Sequence, residues 1–174
     1  MNTVAALPRS YNGTLTVTVN DKEPLVVARN VIICILAASV RNADKASECI
    51  AHIWYSAFIR QADLDLLNAH VLPLVQDVWA RIKDKSSANL HSKTWKLMNC
   101  SLSLVLEKET WRLLLSCLTV RPELTLQQAQ ASRSAITRSI ERRDDLDRYT
   151  VQQLPVHRVS RQIFVDDGIL LPFG

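Results

Sequence analysis

The sequence predicts a helix-rich α/β fold, and three observations carry that expectation. A short alternating run, Leu15-Thr16-Val17-Thr18-Val19, precedes a long apolar segment from Pro24 to Val40. A second alternating run, Ser101 to Leu106, stands directly before the helical pattern Trp111 to Leu118. The stretches between them repeat apolar residues at spacings of three and four, the signature of amphipathic helices. Period-2 alternation marks a half-buried strand, so strand leads to helix twice.

The first unit sets the frame. Asn20-Asp21 ends the alternating run, an Asx residue there can cap a helix, and Pro24 suits a first helical turn. Val31-Ile32-Ile33-Cys34-Ile35-Leu36 is β-branched enough to read as a buried strand, but Pro24 to Val40 has no turn signal inside it. A uniformly apolar segment of that length reads as a buried helix, interrupted only by Arg29 and Asn30, which require buried hydrogen-bond partners. Ahead of this unit, Leu7-Pro8 and Asn12-Gly13 are breakers.

Asn42 is placed to cap a second helix whose face comprises Ala46, Cys49, Ile50, Ile53, Trp54, Ala57 and Phe58, with Glu48, His52, Tyr55 and Ser56 toward its other side. Asp63 reads as the cap of a third helix, Leu64 to about Ile82. Pro73 lies inside it and predicts a kink or break at Leu72-Pro73, because proline removes a donor and clashes with the preceding turn. Lys83 to Lys93 is a polar link, and Trp95 to Met98 and Ser101 to Leu106 read as strands. Glu107 and Glu109 favour the N-terminus of the helix that follows. Arg121-Pro122 breaks the chain, Thr125 with Gln128 forms a capping-box pattern for a helix to about Ile140, and Glu141 to Tyr149 reads as a short charged helix. Leu154-Pro155, Asp166-Asp167-Gly168 and Pro172 bracket an extended end, with Val159 to Val165 as a further strand. No repeat or domain boundary interrupts residues 1–174, which read as a single domain.

Composition narrows the function classes. A chain of 174 residues with 48% hydrophobic and 22% charged residues is long enough for one real core. Net charge is +4 at a pI near 9.0. The basic residues alternate with acids, and from Arg121 onward eight arginines face seven acids, so no cationic arm argues for nucleic acid. The longest uninterrupted apolar run, Val31 to Ala38, falls far short of the ~20 residues that span a bilayer. With no leader pattern at the N-terminus, the expectation is a cytoplasmic protein without membrane contact. Cys34, Cys49, Cys100 and Cys117 are widely separated and read as reduced thiols.

Several motifs in combination carry a resemblance. Leu7-Pro8 with Tyr11 and Gly13, Val19-Asn20-Asp21, Val26-Val27-Ala28-Arg29-Asn30, Trp54-Tyr55-Ser56-Ala57, Leu72-Pro73-Leu74, Lys93-Thr94-Trp95 and Gly168 to Gly174 resemble domain-of-unknown-function family 4470, nearly end to end. Such domains accompany MYND zinc fingers in fungal proteins and stand at the N-terminus of the dynein axonemal assembly factor 3 family. The resemblance implies a Rossmann-like, methyltransferase-like sheet whose usual opening, a strand and a Gly-Asp loop, is missing here, so the expected fold is a truncated Rossmann-like domain. No MYND-type Cys/His cluster is present.

Candidate chemistry is sparse. An acidic side chain at the end of the second strand of a nucleotide-binding sheet can hold ribose hydroxyls, which makes Asp21 the candidate cofactor-binding residue. Its alternative is a helix cap. Dinucleotide or S-adenosylmethionine binding also needs glycines at the first strand-helix turn, and only Gly13, Gly168 and Gly174 exist. No cofactor is expected. Cys49 and His52 have metal-ligand spacing without a second pair, and no nucleophile or catalytic residue stands out. Two readings follow: a non-catalytic interaction or assembly module that self-associates or binds a protein partner, and an S-adenosylmethionine-binding methyltransferase-like enzyme whose glycine loop lies elsewhere. The first is preferred.

Overall fold

The fold is that of a computed structural model, which describes Pro8 and residues 10–120, 124–137 and 148–168. Among the described residues four helices come first. Helix α1 spans Pro24–Ser39, α2 Ala43–Tyr55, α3 Gln61–His70 and α4 Leu72–Ile82. An antiparallel hairpin, β1 (Leu90–Leu97) and β2 (Cys100–Glu107), leads into α5 (Lys108–Cys117), and α6 (Leu126–Thr137) and α7 (Pro155–Asp167) follow.

Helix α1 is the axis of the core. It packs against α2, α3, α5 and β2, and Ala28, Val31, Ile32, Ile33, Ile35 and Leu36 are all buried. Pro24 occupies its first turn, as the sequence predicts, and Asp21 Oδ1 accepts the Glu23 amide at 2.9 Å just ahead of it. The helix stops at Val40, whose backbone turns extended. Asn42 then caps α2 by accepting the Lys45 amide at 3.0 Å. The break at Pro73 is also present: α3 ends at His70, Val71 intervenes, and α4 starts at Leu72.

In the hairpin, Trp95 pairs with Leu102 and Lys93 with Leu104. The row containing His91, Lys93, Trp95 and Leu97 turns toward the helices, while Ser92, Thr94 and Lys96 face outward. Trp95 meets Trp111 of α5 edge-on at 6.1 Å, and Trp111 Nε1 donates to the His91 carbonyl at 3.2 Å. Both rings are buried. Glu107 and Glu109 flank the start of α5, and Thr125 and Gln128 form the reciprocal capping box that opens α6.

Three expectations are corrected. Leu15 to Val19 is extended but unpaired, with Leu15, Val17 and Val19 47–59% exposed, so the strand of the first strand-helix unit is not formed. β-propensity becomes structure only where a neighbouring strand supplies hydrogen-bond partners, and none of the described residues does so. Val159 to Val165 belongs to helix α7 rather than to a strand. Pro155 stands in its first turn, and Gly168, at φ 77°, provides the left-handed residue that ends it. Asp63 lies in the third position of α3 rather than before it. Among the described residues the sheet is this one antiparallel pair, so the fold is mixed α/β and helix-rich. The charged helix expected at Glu141 to Tyr149 falls largely outside the described residues.

Arg133 of α6 secures the end of α7 by donating to the carbonyls of Phe164, Val165 and Asp166 at 3.1, 2.9 and 2.6 Å. The Gly168 carbonyl accepts the Ala57 amide at 2.8 Å, which ties this end of α7 to the chain just past α2. No helix among the described residues is long and apolar enough to cross a membrane.

Candidate functional site

The densest polar constellation lies where α2 meets α3, in the turn that Ser56 to Arg60 provides. Asp63 is 1% exposed and sits at the centre. Its Oδ2 receives Arg60 Nε at 3.1 Å, His52 Nδ1 lies 3.0 Å from the same oxygen, and Arg60 Nη2 donates to Oδ1 at 3.1 Å. The Arg60 amide adds a longer bond of 3.3 Å. Arg60 Nη1 also reaches Glu48 Oε1 on α2 at 2.6 Å. A guanidinium thus grips one carboxylate with two nitrogens and a second carboxylate with a third, which fixes orientation as well as charge.

Burial alone would push the Asp63 carboxyl up, but hydrogen bonds from Arg60 and His52 outweigh it and hold the group below the usual carboxylate range. The Arg60 hydrogen bond lowers Glu48 likewise. Cys49, fully buried beside them, donates to the Asp63 carbonyl at 3.9 Å. Burial and then the Asp63 charge push its thiol up to about 12. A thiol in that state is neutral and inaccessible at physiological pH, so the Cys49, His52 and Asp63 grouping cannot act as a nucleophile with its base and orienter.

The sequence places Cys49 and His52 one turn apart with His52 turned outward, whereas the structure buries both. His52 faces inward because Asp63, eleven residues on, supplies its partner. Among the described residues no cluster of three or more His, Cys, Asp or Glu side chains is arranged to hold a metal. The signal for this network was present in the sequence only as a pattern: buried Ala46, Cys49 and His52 recur every three residues.

The other sequence candidates lie apart from this corner. Asp21 is exposed and bonds the Glu23 amide, the geometry of a turn that starts a helix. Arg29 stacks its guanidinium over the Trp54 ring at 4.6 Å, with Tyr55 tilted against Trp54 at 6.4 Å. The expected hydrogen-bond partner is not what Arg29 finds: its guanidinium meets an aromatic face, while its Nε is buried without a hydrogen bond. Trp54 is nevertheless 45% exposed, unlike the core tryptophans Trp95 and Trp111.

No curated protein and no solved structure matches this chain. The motifs quoted from Leu72 onward lie beyond the span that a family profile matches. Residues 1–59, which include the alternating run, the whole of α1 and α2, and the Trp54-Tyr55-Ser56-Ala57 motif, match the family described as Domain of unknown function (DUF4470).

Proposed function

We propose that this protein is a non-catalytic interaction module that assembles through Leu15 to Val19 with a second copy of itself. The observation that carries this reading is the exposure of Leu15, Val17 and Val19 in an extended, unpaired run directly before the most apolar helix. Fully burying a Leu or Val side chain is worth about 1.5–3 kcal/mol, and these three are already about half covered. Pairing would therefore add roughly half of that for each, besides the main-chain hydrogen bonds of a new ladder. A run that alternates threonine with leucine and valine suits its own copy, because antiparallel pairing keeps apolar residues on one face in both chains.

The Rossmann-like reading belongs to the same proposal. Leu15 to Val19 would become the strand that precedes α1 once a neighbour supplies the ladder. The corner built on Asp63 supports a structural module too, since its charges are engaged with one another and its thiol is protonated.

Sedimentation velocity over a wide concentration range tests the reading. The natural sequence is expected to form a dimer that Val17→Lys abolishes, with helicity by circular dichroism unchanged. A monomer at every concentration, or a dimer indifferent to Val17→Lys, refutes it.

A further inference from the structure

A second feature lies between the last turn of α4 and the start of β1. A cleft of about 320 Å³ is lined there by Arg81, Lys85, His91, Ser92 and Lys93, over an apolar floor that includes buried Val78 and Ile82. Its volume is at the small end for ligand sites, which run from roughly 300 to 1,000 Å³. The strand alternation creates it. His91 and Lys93 fall on the inward row of β1, beyond the hydrophobic part occupied by Trp95 and Leu97, and so face α4 with polar ends.

The cleft is held from three directions. Asp77 binds Arg81 through Oδ1 at 2.7 and 3.1 Å and Lys93 through Oδ2 at 3.4 Å, fixing two cations from different elements. Trp111 holds the His91 carbonyl, and Lys108 donates to the Lys85 carbonyl at 2.6 Å. Of the residues that line the cleft, three are cationic and none is acidic, and Asp77 beside it pairs with two of the three. Lys85 has no acidic partner among the described residues, and His91 Nε2 is buried without a hydrogen-bond partner. Arg81 also complements the carbonyl end of α4.

We propose that this cleft binds a phosphate group, as inorganic phosphate or as a small phosphomonoester. A tetrahedral anion matches a lining that holds three cations and no acid, and a guanidinium and two ammonium groups offer charge-assisted donors from α4, the link after it and β1. The small volume favours a compact phosphorylated group over a nucleotide.

The test is isothermal titration of the full chain with inorganic phosphate, with glycerol phosphate and with chloride at matched ionic strength. Saturable one-site binding of phosphate or glycerol phosphate is expected, tighter for whichever is the natural form, with none for chloride. Lys85→Met and Lys93→Met should each weaken it about tenfold, the loss of one charge-assisted donor. Lys22→Met, far along the chain, should not change it. Lys85 is exposed, so Lys85→Met tests the site even if Lys93→Met alters folding through Asp77; thermal melting checks both variants. Absence of saturable heat with either phosphate compound, or binding that survives Lys85→Met, overturns the proposal.

Discussion

Asp63 is a buried carboxylate whose partners come from α2 and from the turn before α3, so its loss should be felt across the corner rather than locally. Asp63→Ala leaves His52 and one face of Arg60 without their acceptor, and we expect a cost of about 3 kcal/mol in chemical denaturation, as for other broken buried pairs. The pH dependence has a definite sign. The folded carboxyl lies below its unfolded value, so the unfolded chain takes up the proton first as pH falls. Its contribution is complete above the ordinary carboxylate value of about 3.9 and is lost as pH falls through the folded one. The melting temperature of the natural sequence should therefore drop more steeply below that value than that of Asp63→Ala, and parallel curves would show that the network is not ionised. Met98 illustrates strain at the same scale. It is the first residue of the two-residue connection between β1 and β2 and has φ 43°, where a hairpin turn of this kind takes glycine. Left-handed backbone costs a non-glycine residue roughly 1–2 kcal/mol, against about 0.4–1 kcal/mol of extra unfolded-state entropy for glycine. Met98→Gly should thus raise the denaturation midpoint slightly, whereas β-branched Met98→Val should lower it.

At the scale of elements, α1 carries the core and α7 shows where sequence reading goes astray. Ile35 is fully buried in α1, and Ile35→Asp would place an unpaired carboxylate there at a cost of several kcal/mol, comparable with the stability of a domain. A loss of cooperative melting is expected, and a soluble variant that melts normally would contradict the burial of this helix. The length of the apolar segment and Pro24 made α1 legible. The stop and start around Pro73, the capping of α2 by Asn42 and the capping box of α6 were equally readable because each depends on adjacent residues. Val159 to Val165 reads as a strand on its β-branched residues, yet Pro155 and Gly168 are the start and stop signals of the helix that forms there. Leu15 to Val19 failed for the converse reason: its alternation is real, but a strand is a property of two segments. The Asp63 corner is hidden in the sequence because its bonds join α2 to residues eleven and twelve positions further on, in α3 and in the turn before it.

For the whole molecule, the proposed association through Leu15 to Val19 has a thermodynamic corollary. A ligand that binds only the folded state raises apparent stability by mass action, and a second copy is such a ligand. The melting temperature should climb with protein concentration for the natural sequence and stay constant for Val17→Lys. The four cysteines offer a way to watch the fold breathe. Cys100 and Cys117 are exposed, Cys34 is intermediate, and Cys49 is sealed beside Asp63. A thiol-specific reagent should modify the first two promptly and Cys49 only when α2 and α3 part, so its labelling rate becomes a clock for the opening of that corner. In Asp63→Ala that clock should run faster while the exposed thiols keep their pace, turning a residue placed for packing into a timekeeper of the domain's internal motion.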